Sequence, residues 1–313
     1  MPQPFAPALV IAGMHRSGTS LAAALVTSAG IHLGDRIMGP ERGNIKGHFE
    51  DLDFYELHQR ALAANGLAAN GFTCQTSINV PPAFEDAFAE LVALRRGLGQ
   101  PWGWKDPRTT LFLEAWQHRI AEARFLLVFR RPWEVIDSLF RRGDTDFRLN
   151  PRLAADVWLA SNRRIHDFFL THRDHCLLVE TTFVAHHPAA LIADVGRLLG
   201  IELRIPAKHY KPGLLLEDTS LDRVGLVRQM LPAAIDLYDS LHSLAADHTG
   251  PTSHSMPAAG AGTFSRDELL DAAVMQWVRA ARAEDALREQ LVAPVFVFIR
   301  TLVRRAAAIR PTI

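Results

Sequence analysis

Gly13, Arg16, Gly18, Thr19 and Ser20 stand in a segment, ALVIAGMHRSGTS at 8–20, that joins an apolar run to the helix-like LAAALVTSAG. Glycines in such a loop let backbone N–H groups turn inward, and the following helix offers its positive end, so the pattern can hold an anion. The triphosphate-binding loop requires glycine, four residues, glycine, lysine, then serine or threonine. Position 19 is threonine, so the lysine that would read a third phosphate is missing, and Arg16 is the cation inside the loop. An ordinary glycine turn in an α/β core is the competing reading of this segment.

A second segment argues for more. RFLLVFRRPWEVIDS, at 124–138, holds the continuous apolar run of a strand buried on both faces. The run ends in Arg130 and Arg131, and Pro132 sits where a helix can begin without losing a hydrogen bond. A Mg²⁺-dependent nucleotide hydrolase would carry an aspartate after such a strand. Here an arginine follows, with Ser138 roughly two turns into the next helix, a forked cation and a hydroxyl suited to phosphate.

Together the segments resemble a family. GMHRSGTS is similar to the 5′-phosphosulfate loop of sulfotransferases that use 3′-phosphoadenosine 5′-phosphosulfate (PAPS), and FRRPWEVIDS is similar to their 3′-phosphate motif. WGWKDPRT at 102–109 resembles the KDP element of tyrosylprotein sulfotransferases, and GNIKGHFEDLDF at 43–54 lies where related bacterial and tyrosylprotein enzymes place an acidic base. The resemblance runs from about residue 8 to 205; the late RKGxxG segment of cytosolic members has no counterpart. It implies PAPS as cofactor without a metal, contacted by Gly13, His15, Arg16, Ser17, Gly18, Thr19, Ser20, Arg130 and Ser138. It also implies a hydroxyl acceptor: a carbohydrate, a lipid, a small molecule or a tyrosine.

Sulfonate transfer resembles phosphoryl transfer in that the protein positions reactants and neutralises charge on the leaving oxygens. Arg16 and Lys105 are the cations expected to do so, each worth roughly two to three powers of ten in rate. The acceptor must lose a proton. Glu50 is the first candidate base, His48 its chemical rival because an imidazole titrates near neutrality, and Asp51 and Asp53 follow. Glu50 also reads as a helix-start carboxylate on DLDFYELHQRAL.

The elements that would position these groups alternate between strand and helix, which predicts an α/β, P-loop-like three-layer fold with a central parallel sheet flanked by helices. Ligands in such sheets bind beyond the strands' carboxyl ends, where Gly13, Lys105 and Arg130 would converge. The spacing predicts helices at about 109–121, across 152–171 and from Pro188 to Gly200, and a strand at 176–180 ending in Glu180, read as a partner for an arginine. Residues 61–101 form an insertion with a helix over AFEDAFAELVALRR, placed to shape the acceptor cleft.

Residues 1–248 are expected to form the PAPS-binding domain, 249–264 a linker or mobile loop rich in Pro, Gly, Ser and Ala, and 265–313 a helical segment. Ser265 and Glu268 make a capping box there. That helix would pack on the domain, bind a partner or form a homodimer, the first being the default.

At 313 residues with 48% hydrophobic residues the chain is long enough for a substantial core, and its formal charge of zero argues against nucleic acid or an anionic membrane as partner. Cys74 and Cys176 lack metal spacing and read as reduced, buried thiols, and the histidines show no ligand pattern. The first residues lack a secretory signal and no span of about 20 apolar residues occurs, so a cytoplasmic protein is expected. Two other function classes remain in view: a degenerate P-loop kinase or NTPase, which Thr19 and Arg130 disfavour, and a non-catalytic nucleotide-binding module.

Overall fold

The computed structural model describes residues 6–39, 48–76, 78–205, 221–249 and 269–287. Four strands, β1 (Ala8–Ala12), β2 (Trp102–Lys105), β3 (Arg124–Phe129) and β4 (Cys176–Glu180), form one sheet in the order β2-β1-β3-β4. Every pairing is parallel, with Val10 opposite Trp104 and Phe125, and Leu127 opposite Leu178. Parallel strands need crossovers, and the helices supply them.

In chain order these are α1 (Thr19–Ser28), α2 (Leu52–Ala64), α3 (Glu85–Arg96), α4 (Leu113–Arg119), α5 (Pro132–Arg142), α6 (Thr145–Leu149), α7 (Arg152–Thr171), α8 (Thr181–His186), α9 (Pro188–Leu199), α10 (Leu221–Met230), α11 (Pro232–Thr249) and α12 (269–287). Side-chain alternation in the strands splits the core in two. Leu9, Ile11, Leu126, Val128 and Val179 face one cluster with α1, α8 and α9. Val10, Ala12, Phe125, Leu127 and Leu178 face the other, filled by Trp102, Trp104, Trp116 and Trp158 with α2, α4 and α7. This is the expected three-layer α/β arrangement.

The expected helix at 109–121 takes another form. A 3-10 helix runs over Pro107–Leu111, and α4 begins only at Leu113. Asp106 accepts from the Arg108 N–H and Thr110 from its side chain returns a bond to the Pro107 carbonyl, so the first turn is tightened locally. Cys74 is a second correction: it is exposed, in a stretch without regular structure, whereas Cys176 is buried in β4 and its thiol is pushed up to about 12 by burial.

Helix α12 packs on α5: Trp277 lies edge-on to Phe140 and its indole N–H donates to Asp137 at 2.9 Å. The capping box at Ser265 and Glu268, and all of the 249–264 linker beyond Thr249, lie outside the described residues. No described helix is long and apolar enough to cross a membrane.

Gly103 in β2 faces the Leu9 carbonyl so closely that any Cβ there would force β1 and β2 apart. Gly103→Ala is therefore expected to lower stability by about 1–3 kcal/mol, measured by urea denaturation, whereas Gly39→Ala, with open space at its Cβ position, should leave the midpoint unchanged.

Candidate functional site

All four strands end on one edge, and the loop after β1 lies across it. Gly13 passes too close to the Val128 carbonyl and Thr19 for any side chain, and Gly18, at φ 83°, is the left-handed cap of α1. A Cβ on Gly18 would meet Thr181 at 2.5 Å, and the Thr181 hydroxyl donates to the Ser17 carbonyl. The loop is thus pressed against β3 and the start of α8. Because α1 begins at Thr19, its first N–H groups have no carbonyl within the helix to accept from them.

Two groups of side chains meet this loop. On one side Arg16 Nε donates to Ser138 Oγ at 2.7 Å, and Arg130 Nη1 donates to the Arg16 carbonyl at 3.3 Å. Motifs 122 residues apart in sequence are in direct contact. Arg16 takes φ 70°, a left-handed conformation that costs a non-glycine residue energy. Burial first, and then the Arg142 and Arg130 charges, lower its pKa to about 10.

On the other side Lys105, at the end of β2 and buried, donates to Glu50 Oε1 at 3.0 Å and to the His48 carbonyl at 2.9 Å. Ser20 Oγ donates to that same carbonyl at 3.0 Å, which ties the lysine to the loop. His48 Nδ1 lies 3.9 Å from Glu50 Oε1. Between them Phe49 adopts φ 55° and packs on the apolar cluster behind α1, so the strained turn sends Phe49 one way and leaves Glu50 with Lys105.

Arg16 and Lys105, expected as a pair, therefore join different groups. Glu50 is not the helix cap: Asp51 is, accepting from the Asp53 N–H at 2.9 Å. Asp51 and Asp53 are both held by Arg95, at 2.6 Å each, which removes the two outlying base candidates from contact with Lys105.

Sequence reasoning passed over several neighbours. Arg108 reaches both Glu50, at 3.5 Å, and Asp106, at 2.9 Å, and donates to the Ala69 carbonyl at 2.6 Å. The arginine follows the KDP element directly and was legible there. Asn70 places its carbonyl 3.0 Å from His15 Nε2, so the insertion does border the loop. Burial first, then Arg108 and Arg142, hold the His15 pKa well below the ordinary value.

Behind Arg130 runs a chain of charges. Glu134 binds Arg130 at 2.7 Å and Arg131 at 3.2 Å; Arg131 also meets Glu180 at 3.4 Å, the arginine pairing expected for that carboxylate. Glu180 accepts from the Tyr238 hydroxyl at 3.1 Å and pairs with His242 of α11 at 3.2 Å. The Arg130 carbonyl is fixed by the Trp158 indole at 3.1 Å.

A doubly anionic nucleotide fits these residues. The buried Ser17 Oγ has no hydrogen-bond partner among the described residues, and Arg16, Arg130 and Lys105 gather around the loop. Among the described residues no group of three or more His, Cys, Asp or Glu is placed to hold a metal ion.

No family model matches this chain, and no curated protein matches it. Among solved structures it is similar to the sulfotransferase domain of the Synechococcus PCC 7002 olefin synthase, at TM-score 0.42 and 19% identity over 76% of this chain and 96% of that one. It is also similar to sulfotransferase STF1 from Mycobacterium tuberculosis H37Rv, at 0.42 and 14% over 72% and 76%. Sulfotransferase STF9 from Mycobacterium avium aligns at 0.47 and 14% over 75% and 78%. At such TM-scores and identities these likenesses carry no weight for function, which must be read from the residues.

The Glu180–His242 pair gives a pH signature. Glu180, despite burial acting to raise it, is held below its ordinary value by His242 and Arg131, and His242 is raised by Glu180. The carboxylate's contribution is present above its unfolded pKa of about 4.3 and lost as pH falls through its lower folded value; the imidazole's is full below about 6.5 and lost as pH rises through its raised folded value. His242→Leu should therefore destabilise the protein more at pH 6 than at pH 9, as read by denaturant unfolding at the two pH values.

Proposed function

We propose that the protein transfers the sulfonate of PAPS to a hydroxyl acceptor and releases 3′-phosphoadenosine 5′-phosphate. One observation carries the reading: the contact between the 13–20 loop and the Arg130–Ser138 pair, which brings Arg16 and Arg130 together at the end of the sheet. When bound, PAPS supplies the electrophilic sulfur and a phosphate leaving group. The loop's N–H groups and the N-terminus of α1 take the 5′ end, and Arg130 with Ser138 the 3′-phosphate.

Arg16, bonded to Ser138, is assigned to the nucleotide's phosphates, a change from the role beside Lys105 that its place in the sequence suggested. Lys105 is the cation assigned to the charge that builds on the leaving oxygen. Its bonds to Glu50 and the His48 carbonyl keep the ammonium within reach of the loop. Glu50 takes the acceptor's proton at a carboxylate oxygen, while the S–O bond to the leaving phosphate breaks and the bond to the acceptor oxygen forms. Arg108 and Lys105 fix the orientation of that carboxylate before an acceptor arrives.

The reading extends to a protein that works without a divalent ion and in the cytoplasm. The acceptor belongs to the hydroxyl class.

A labelled-sulfonate assay with PAPS and a metabolite extract should give a labelled product. 3′-Phosphoadenosine 5′-phosphate should raise the thermal midpoint without added metal. Stabilisation by ATP with Mg²⁺ alone would favour a kinase or NTPase, and nucleotide binding without transfer would favour a binding module. Arg130→Ala should weaken nucleotide binding by about 10- to 100-fold, the equivalent of a lost charge-assisted contact, as measured by calorimetry. Lys105→Ala should lower kcat by about 100- to 1,000-fold while binding changes little. Glu50→Gln should abolish turnover with nucleotide affinity intact; full activity in that variant would move the base to His48.

A further inference from the structure

We infer that His58 is a positioning residue for Glu50: its imidazole holds one oxygen of Asp106 so that the other can keep Arg108 on the base. The inference rests on the proposed transfer reaction and assigns a role to a side chain that no motif marks.

His58 lies on α2 and, like Asp106, is fully buried. Its Nε2 accepts from the Trp116 indole N–H at 2.8 Å. An indole nitrogen can only donate, so Nε2 carries no proton and the ring is the neutral Nδ1–H tautomer. Nδ1 lies 2.7 Å from Asp106 Oδ2 and donates to it. The ring is stacked on Phe112, at 5.0 Å and 4°, and edge-on to Trp116, so it cannot turn to exchange its two nitrogens.

Asp106 has two oxygens and divides them. Oδ2 takes His58; Oδ1 takes the Arg108 N–H at 3.1 Å and Arg108 Nη1 at 2.9 Å. Burial acts to raise the Asp106 pKa, but Arg108 and then His58 hold the carboxyl well below the usual range, so it is an anion. Arg108 Nη1 is in turn 3.5 Å from Glu50 Oε2, and Tyr55 lies under the guanidinium at 4.4 Å. The order is Trp116, His58, Asp106, Arg108, Glu50.

Packing does not explain the imidazole. A histidine and a carboxylate inside a cluster of Phe54, Phe112, Trp104 and Trp116 must be desolvated, and an apolar pair of equal volume would stand there at lower cost. What the pair supplies is direction. Without the Nδ1–H donor, Oδ2 would be buried with one bond lost, the carboxylate would turn to recover it, and Arg108 would leave its line to Glu50. Loss of alignment of this size is worth up to roughly 100-fold in rate with little change in ligand binding.

The test compares His58→Leu with His58→Asn, whose amide nitrogen can stand in for Nδ1–H, using PAPS and a hydroxyl acceptor found by the transfer assay. His58→Leu should lower kcat roughly 10- to 100-fold with KM and affinity for 3′-phosphoadenosine 5′-phosphate within about twofold of wild type, and His58→Asn should regain most of kcat. Wild-type kcat in the leucine variant, equal losses in both variants, or a loss confined to KM or nucleotide affinity would overturn the role. Nitrogen-15 imidazole spectra of the unmodified protein provide a second readout that needs neither variant nor reaction: at neutral pH His58 should show a protonated Nδ1 and a bare Nε2, and an Nε2–H or doubly protonated ring would overturn the relay. If the wild type transfers no sulfonate from PAPS, the proposed function fails, and the imidazole spectrum alone decides the relay.

Discussion

Like charges crowded at the carboxyl edge of a parallel sheet are the constraint on which the rest of this structure depends. Arg16 is half-buried beside Arg130 and Arg142, and desolvation together with those two charges lowers its hold on a proton. The acids nearby are divided among the cations: Glu50 serves Lys105 and Arg108, Glu134 serves Arg130 and Arg131, and Asp144 meets Arg142. Such a cluster is stabilised by an anion that enters it, because the Coulomb term between opposite charges grows where water is excluded. Until then the resident carboxylates hold the cations in place, so their positions are set before a ligand arrives.

The sheet supplies the rigidity. Parallel register sets Ile11 level with Lys105 and Ala12 level with Leu127, so Gly13, the lysine and, a little farther along its strand, Arg130 lie at the same carboxyl edge. The His48 carbonyl then joins the halves, taking bonds from both Ser20 on the loop and Lys105 on β2. Among the described residues the two non-glycine positions with left-handed backbone, Arg16 and Phe49, flank this junction. Strain kept at such points is repaid by the geometry it imposes.

Much of this was legible in the sequence. The strand CLLVE and the helix at 152–171 fall where hydrophobic period placed them, and Pro188 and Gly200 bound α9 as their backbone preferences require. The two segments proposed to hold phosphate were readable because their residues are close in sequence and of rare type. The turn at 107–111 was not, since one aspartate's capping bonds outweighed helical periodicity. Nor were His58, Trp116 and Glu134, whose partners sit on other elements or within an amphipathic helix where nothing local distinguishes them. The division of Arg16 and Lys105 into separate groups also depends on tertiary geometry, for which a string of residues has no signal.

The most direct measurement is a crystal structure with 3′-phosphoadenosine 5′-phosphate. The account predicts the 5′-phosphate on the backbone of Gly13–Ser20, the 3′-phosphate between Arg130 and Ser138, and Lys105 directed at the 5′ end. A nucleotide bound elsewhere, or held by the loop with its 3′-phosphate turned away from Arg130, would contradict it.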